Sequence, residues 1–213
     1  MKFHKDMLLL YAITDQAFAG ERGLLPQIEE ALAAGVTFLQ LREKNMDRQE
    51  FFKEAVAVRK LTRQYGVPLI INDDVEIAIA CDADGVHVGQ EDLPAQEVRR
   101  RIGPDRILGV TAKTTKQAVS AWKNGADYLG SGAVFKSPTK KNAIGITMEQ
   151  LSAICSSVPL PVTAIGGITY KNVSLLQGTG IAGISVVSGI FGQSDIPAAV
   201  RALKEEVRKV VVS

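Results

Sequence analysis

The sequence alternates between short apolar runs and longer stretches in which apolar residues recur at the spacing of a helix. The apolar runs are rich in Val, Ile and Leu along their whole length, which is typical of parallel strands buried on both faces. The predicted strands are residues 8–14, 38–43, 68–73, 85–90, 107–112, 128–134, 161–167 and 183–189. The predicted helices include residues 24–34, 47–65, 95–102, 115–124, 148–156 and 196–211.

Glycines follow several predicted helices, at the points where the chain turns back towards a strand. Gly35, Gly66 and Gly125 hold such positions, and glycine is common there because it adopts positive φ without strain. Alternating strands and helices predict a parallel sheet with right-handed connections. Eight such units predict a single-domain (β/α)8 TIM barrel over residues 1–213, near the lower size limit of roughly 200 residues for this fold.

A doubly wound open sheet is the alternative architecture. Such sheets usually carry a Gly-x-Gly-x-x-Gly turn after the first strand. Thr14-Asp15-Gln16 stands there instead, so the barrel is favoured.

Charge and cysteine content narrow the class of protein. The 25 Lys and Arg residues nearly balance the 23 Asp and Glu residues, for a net charge of +2, so electrostatics favour neither nucleic acid nor a membrane as a partner. Cys81 and Cys155 have no paired spacing, which predicts free thiols and a cytoplasmic location. Residues 2–19 imitate a secretion signal with a cleavage site, but the strand count needs the apolar part of this segment as the first strand.

Carboxylates follow the third and fourth predicted strands. Asp73 comes at the end of one strand and Asp92 shortly after the next. Neighbouring barrel strands would bring both to the same rim, where hard oxygen ligands suit Mg²⁺. Helix capping is an equally good explanation from the motif alone, since Asp73 or Asp74 could cap a helix at Val75 and Asp92 one after Pro94.

The motif Gln40-Leu41-Arg42-Glu43-Lys44 ends the second predicted strand. Arg can grip a phosphate with two hydrogen bonds, and Lys supplies a compact positive charge. A solvated strand end is the simpler interpretation of this motif by itself. Together with the carboxylates, it predicts a site for a diphosphate and Mg²⁺.

Glycine-rich turns follow the seventh and eighth predicted strands. Gly166-Gly167 ends one strand, and Val187-Ser188-Gly189 ends the other. Phosphate sites recur at these positions in TIM barrels, although a Gly-Gly turn alone is weak evidence. A polar, lysine-containing loop over residues 131–143 could fold over a ligand or be a basic surface loop. His87 is expected to be a packed strand residue, and the chain has no Ser-His-Asp, Cys-His or zinc-ligand spacing.

The motifs resemble those of the thiamine-phosphate synthase family, also called thiamine-phosphate pyrophosphorylase. They occur in family order over nearly the whole chain. The matching motifs are Gln40-Leu41-Arg42-Glu43-Lys44, Asn72-Asp73-Asp74, Gly85-Val86-His87-Val88-Gly89-Gln90-Glu91-Asp92, Asp127-Tyr128-Leu129-Gly130, Thr139-Lys140-Lys141 and Ile165-Gly166-Gly167-Ile168.

The resemblance implies a Mg²⁺-dependent transferase of thiamine biosynthesis. It would join hydroxymethylpyrimidine diphosphate to hydroxyethylthiazole phosphate, giving thiamine phosphate and pyrophosphate. Asp73 and Asp92 would bind Mg²⁺, and Arg42, Lys44 and Lys140 would be the catalytic residues. The substrate-binding residues implied by the motifs are Gln40, Leu41, Arg42, Glu43, Lys44, Asn72, Thr111, Ser137, Pro138, Thr139, Lys140, Gly166, Val187 and Ser188. Small molecules are the expected partners, with neither nucleic acid nor membrane, and a homo-oligomer is left open.

Some positions depart from the family pattern, mainly on the thiazole side. The family usually has Ser and then His-Thr where Thr111-Ala112-Lys113-Thr114 stands, a Thr-x-Thr pattern at residues 137–139, and proline at Ala133. Three alternatives remain: a thiazole tautomerase relative, a non-catalytic thiazole-phosphate-binding regulator, and an aldolase or isomerase that forms a Schiff base on Lys44. The first would need neither the carboxylates nor the Gln-x-Arg-x-Lys cluster.

Overall fold

Eight parallel strands close into one barrel in the computed structural model, which describes residues 2–136 and 145–211. Each strand pairs with its neighbours in chain order, and β1 also pairs with β8. The predicted TIM barrel is confirmed. The strands are β1 (Leu10–Ile13), β2 (Phe38–Leu41), β3 (Leu69–Asn72), β4 (Gly85–Val88), β5 (Ile107–Thr111), β6 (Tyr128–Gly132), β7 (Val162–Ile165) and β8 (Gly183–Val186).

Helices cover the outside of the barrel. Their bounds agree with the prediction to within one residue wherever a helix was predicted. They are α1 (Leu24–Ala34), α2 (Arg48–Tyr65), α3 (Val75–Ala80), α4 (Ala95–Ile102), α5 (Thr115–Lys123), α6 (Met148–Ser157), α7 (Ser188–Phe191) and α8 (Ile196–Val211). Gly35 and Gly66 end α1 and α2 with φ of 110° and 66°, as the glycine pattern predicted.

The strands end earlier than the apolar pattern predicted. The eighth strand was predicted to reach Gly189, but it ends at Val186 because α7 begins at Ser188. Hydrogen bonding between strands stops where the chain leaves the barrel wall, although the residues that follow are still of types common in strands. Polar residues that were predicted to end the strands therefore lie in the loops that follow.

Side chains alternate between two apolar layers along each strand. In β2, Phe38 joins a small cluster inside the barrel, whereas Leu39 and Leu41 pack in the larger cluster between barrel and helices. Phe3 covers the lower end of the inner cluster, with its ring centroid 5.9 Å from that of Tyr128. The barrel interior is therefore filled at its lower end, which leaves the carboxyl ends of the strands to form a pocket.

Partly buried ion pairs join helices α2 and α4 to the amino-terminal ends of the strands. Arg59 on α2 donates to both oxygens of Asp84, with contacts of 2.5 and 3.0 Å, and Asp84 also accepts the Leu69 N–H. Arg99 and Asp127 repeat this arrangement, with Asp127 accepting the Leu108 N–H. At this end of the barrel, each carboxylate therefore joins a helix to the start of a strand.

Candidate active site

A pocket opens at the carboxyl ends of the strands, and its volume is about 170 Å³. A cavity of about 150 Å³ is enough to hold a benzene ring, so one aromatic ring fits within it. Seven of the predicted substrate-binding residues line this pocket: Gln40, Arg42, Asn72, Thr111, Gly166, Val187 and Ser188.

Arg42 enters the pocket from the loop after β2. Its backbone N–H donates to Thr14 Oγ1 at 2.9 Å, which fixes the start of the loop. Its guanidinium contacts Asp15 Oδ2 at 3.4 Å, a long distance for a hydrogen bond. Since a guanidinium has five N–H donors, Arg42 can hold Asp15 and still grip an anion in the pocket.

Asp73 and Asp92 lie against each other beside the pocket. Asp73 Oδ2 accepts from Lys44 Nζ at 2.5 Å and from Asn72 Nδ2 at 2.6 Å. Asp92 Oδ2 accepts the Gly89 N–H at 2.7 Å. Carboxylates from two neighbouring loops and one lysine thus form a compact charged cluster, as the barrel prediction required.

Neither aspartate is a helix cap. Asp74 caps α3 by accepting the Ile77 N–H at 2.8 Å. The residue before α4 is Pro94, and no side chain caps that helix. The capping explanation therefore applies to Asp74 and not to Asp73 or Asp92.

The backbone at Asp73 is in an uncommon conformation. Its φ is 61°, a left-handed value that non-glycine residues adopt at some energetic cost, Asp less than most. The Asp73 N–H donates to the His87 carbonyl at 2.9 Å, which holds this conformation against β4. Strained residues are often found at functional sites, where the surrounding structure maintains them.

Electrostatics at this cluster favour a cation. Burial and, after it, the neighbouring Asp73 raise the pKa of Asp92, against the opposing effects of the Gly89 N–H and Lys44. A divalent cation would relieve the repulsion between the two carboxylates. In the described part of the chain, no cluster of three or more His, Cys, Asp or Glu side chains could hold a metal. Mg²⁺ needs fewer protein ligands, because it usually takes one or two carboxylates and completes its shell with water and substrate phosphates.

The opposite side of the pocket is built from glycines and backbone. Gly166 and Gly167 follow β7 with φ of 105° and 64°. A Cβ on Gly167 would lie 2.4 Å from the carbonyl oxygen of Lys136, and one on Gly166 would lie 2.5 Å from the Ala133 Cβ. These turns therefore pack directly on residues 133–136, and only glycine fits in either position.

Three of the predicted substrate-binding residues that the structure describes lie outside the pocket lining. Leu41 is buried between the barrel and the helices. Lys44 contacts Asp73 rather than the pocket wall. Glu43 lies behind the loop, where burial and then Glu54 raise its pKa to about 7. The predicted residues Ser137, Pro138, Thr139 and Lys140 lie outside the described residues.

The pocket is also lined by three residues that the sequence motifs did not place in the site: Tyr11, His87 and Lys113. His87 was expected to be a packed strand residue. Its ring nitrogens instead lie 3.0 Å from the Tyr128 hydroxyl and 3.0 Å from Thr111 Oγ1. Strand parity could have found it, because Val86 and Val88 are buried on the helix side of β4 and so direct His87 inward.

The family model, the sequence relatives and the solved structure described next all carry the name of the same enzyme family. A family model described as thiamine monophosphate synthase matches residues 10–190. Thiamine-phosphate synthase 2 of Streptococcus pneumoniae is 42% identical over 208 residues, covering 98% of this chain and 99% of its own. Thiamine-phosphate synthase of Ruminiclostridium cellulolyticum is 47% identical, covering 92% and 93%. The solved thiamine phosphate pyrophosphorylase of Pyrococcus furiosus superposes with a TM-score of 0.89 at 38% identity, covering 97% and 98%.

Proposed function

Because the chain belongs to the thiamine monophosphate synthase family, we propose that its pocket joins hydroxymethylpyrimidine diphosphate to hydroxyethylthiazole phosphate, giving thiamine phosphate and pyrophosphate. The observation that carries this proposal is the difference between the two sides of the pocket rim. Arg42, Lys44 and two carboxylates lie on one side, and the turn at Gly166 and Gly167 lies on the other. A diphosphate and a monophosphate can therefore be held on opposite sides of the same cavity.

Asp73 and Asp92 are the residues that would hold Mg²⁺. Bound there, the ion would supply positive charge to the diphosphate as that group departs. Lys44, which already contacts Asp73, keeps a second positive charge beside the same carboxylate. Asn72 orients Asp73 through its side-chain amide.

Arg42 is the residue that would grip the diphosphate from inside the pocket. The bond between the pyrimidinylmethyl carbon and the diphosphate oxygen breaks, and the amino-substituted ring stabilises the cation that develops. Negative charge accumulates on the departing oxygens, where fixed positive groups lower the barrier. Lys140, which lies outside the described residues, would contribute a further positive charge.

The turn at Gly166 and the residues Val187 and Ser188 would receive the thiazole phosphate. Backbone N–H groups beside glycine can approach an oxyanion closely because no Cβ intervenes. Ser137 and Thr139 would add hydroxyl groups. With the phosphate held there, the thiazole nitrogen attacks the methylene carbon across the cavity, and positioning replaces a bimolecular encounter.

This reaction uses no protein nucleophile. Neither cysteine lines the pocket, and burial raises the pKa of the Cys155 thiol to about 11. Both thiols are free, which supports a cytoplasmic location. Among the described helices, none has the length and apolar character needed to cross a membrane.

Turnover with both substrates tests the proposal. Purified protein is incubated with pyrimidine diphosphate, thiazole phosphate and Mg²⁺, and pyrophosphate release is followed with and without EDTA. We expect stoichiometric pyrophosphate and thiamine phosphate that depend on Mg²⁺. Thiazole-phosphate binding or isomerisation without pyrophosphate release would instead indicate a regulator or a tautomerase.

A further inference from the structure

A continuous row of hydrogen-bonded side chains crosses the floor of the pocket. Gln40 Nε2 donates to the Tyr11 hydroxyl at 2.6 Å, and that hydroxyl lies 2.9 Å from the hydroxyl of Tyr128. The Tyr128 hydroxyl lies 3.0 Å from His87 Nδ1, and His87 Nε2 lies 3.0 Å from Thr111 Oγ1. We call these five side chains the polar relay. It connects two predicted substrate-binding residues, Gln40 on β2 and Thr111 on β5.

The barrel is shaped to hold the polar relay. A Cβ on Gly109 would lie 2.3 Å from the Tyr128 hydroxyl and 2.5 Å from His87 Nδ1, so glycine at this β5 position makes room for that hydrogen bond. The Tyr128 ring also packs edge-on against Tyr11 and Phe38 at centroid distances of 5.9 and 5.7 Å. Packing therefore fixes the rings independently of any ligand.

The polar relay has a direction when Gln40 donates. Tyr11 then accepts from Gln40, and the Tyr11 proton has Tyr128 as its acceptor. The Tyr128 proton goes to His87 Nδ1, which leaves His87 Nε2 to donate to Thr111. Both phenols keep their protons for this purpose, because burial raises the pKa of Tyr11 and of Tyr128 above the ordinary range.

This direction decides what the two ends of the relay offer to a ligand. With Nε2 directed to Tyr11, Gln40 has its carbonyl oxygen as the acceptor for a ligand. With its oxygen accepting from His87, Thr111 has its hydroxyl proton to donate. An aminopyrimidine carries an amino donor and ring-nitrogen acceptors, whereas its oxo analogue has a carbonyl acceptor where the amino group stands and carries a ring N–H donor. The relay thus matches the amino form.

We propose that the polar relay is a positioning device that fixes the orientation of the Gln40 amide and so selects an amino-substituted pyrimidine over its oxo analogue. This inference rests on the function proposed above. Removing either phenol oxygen interrupts the relay while leaving the aromatic ring. In Tyr128→Phe, the Tyr11 proton loses its acceptor and turns to the Gln40 carbonyl, which reverses the amide. In Tyr11→Phe, the amide is no longer held.

The test measures binding of two ligands that do not turn over. Hydroxymethylpyrimidine monophosphate and its 4-oxo analogue are titrated into wild-type protein, Tyr128→Phe and Tyr11→Phe by calorimetry. A site built to pair with a polar group strongly rejects an analogue of the wrong polarity, so wild-type protein should prefer the amino ligand by roughly tenfold or more. Both variants should reduce this preference to within about threefold. Tyr65→Phe, at the exposed end of α2, should keep the wild-type ratio.

Each outcome has a distinct meaning. Loss of the preference in both phenylalanine variants, with thermal unfolding close to wild type, supports the proposal, and either variant serves if the other does not fold. A folded variant that keeps the wild-type ratio would overturn it, as would a wild-type protein that binds both ligands equally. Failure of the synthase reaction is read separately, from pyrophosphate release by wild-type protein.

Discussion

The two sides of the pocket rim are built on different principles. The side formed by β2, β3 and β4 carries charged side chains in contact with one another, with Lys44 Nζ 2.5 Å from Asp73 Oδ2. The side formed by β7 and β8 carries glycine turns packed on neighbouring backbone, as Gly167 is on Lys136. The charged side depends on balanced charges, and the glycine side depends on steric fit.

This difference predicts how each side responds to substitution. A change of charge on the charged side should alter ligand and metal binding while the fold persists, since these side chains are partly exposed. A change of size on the glycine side should disturb backbone position, and stability and thiazole binding should change together. Substitutions of both kinds can therefore test whether the two sides of the rim differ in this way.

The largest expected effect is on turnover in Asp92→Asn. Replacing this carboxylate removes one of the two proposed Mg²⁺ ligands, and a catalytic metal supplies several kcal/mol of charge stabilisation. We expect kcat/KM at limiting Mg²⁺ to fall roughly a hundredfold or more. Thermal stability should be unchanged or slightly higher, because the variant also removes the repulsion from Asp73. Pyrophosphate release over a Mg²⁺ titration measures the effect.

Asp74→Asn is the matched control for this variant. Asp74 caps α3, and Asn is as good a cap as Asp, so this change should leave both stability and the Mg²⁺ titration close to wild type. If Asp92→Asn also keeps wild-type activity at limiting Mg²⁺, Asp92 is not a metal ligand.

Arg42→Lys should have the next largest effect. Lysine keeps the positive charge but loses the planar pair of donors that can grip a diphosphate at two points. We expect KM for the pyrimidine diphosphate to rise about tenfold, with KM for the thiazole phosphate nearly unchanged. Steady-state kinetics with each substrate varied in turn give both values. The same replacement at Arg63, which pairs with the exposed Asp82 on the surface, is the control; equal effects at the two sites would contradict a role for Arg42 in binding.

On the glycine side, Gly167→Ala should lower stability and weaken thiazole-phosphate binding together. Its φ of 64° costs an alanine about 1–2 kcal/mol, and the new Cβ would also meet the Lys136 carbonyl oxygen at 2.4 Å. Gly178→Ala separates the two causes, because Gly178 has a φ of 77° with nothing within 4 Å of its Cβ position. We expect Gly178→Ala to lower the melting temperature alone and Gly167→Ala to raise KM for the thiazole phosphate severalfold as well. A Gly167→Ala protein with unchanged KM would remove this turn from the site.

The sequence predicted more of the site residues on the charged side than on the pocket floor, for a physical reason. Asp73 and Asp92 carry charge at strand ends, and strand order alone brings such ends together. Tyr11 and His87 lie within apolar strands, where composition is the same whether a polar side chain faces the barrel interior or a helix. The two orientations differ only in which alternate residues of the strand face the barrel interior. A shift of one residue in the strand assignment exchanges the two faces.

Glu43 illustrates the opposite difficulty. The family motif implied a substrate contact for Glu43, but the loop turns after Leu41 and places Glu43 behind the rim, beside Glu54 of α2. The direction of a side chain beyond the last paired residue depends on the loop backbone, which the hydrophobic pattern does not record. Three consecutive side chains of one motif therefore lie in three different environments. Leu41 packs against the helices, Arg42 lines the pocket and Glu43 lies beside another carboxyl group.

The smallest expected effect concerns this carboxyl pair, and it tests whether the charged side affects stability beyond the pocket. Burial, and then repulsion from Glu54, raises the pKa of Glu43 to about 7, and Asp15 adds to the repulsion while Gln16 opposes it. Among the described residues, no donor reaches Glu43 Oε1 or Glu54 Oε2, so a proton on Glu43 provides the missing hydrogen bond.

A carboxyl with a raised pKa in the folded protein binds a proton that the unfolded chain has released, so stability falls as pH rises from about 4.5 to about 7. Glu43→Gln keeps the shape and remains neutral at every pH. We therefore expect its melting temperature to match wild type near pH 5 and to exceed it by a few degrees near pH 8, while the exposed control Glu21→Gln shows no such divergence. If the difference in melting temperature between Glu43→Gln and wild type is the same at both pH values, Glu43 is ionised throughout. The charged side would then have no effect on stability beyond the pocket rim.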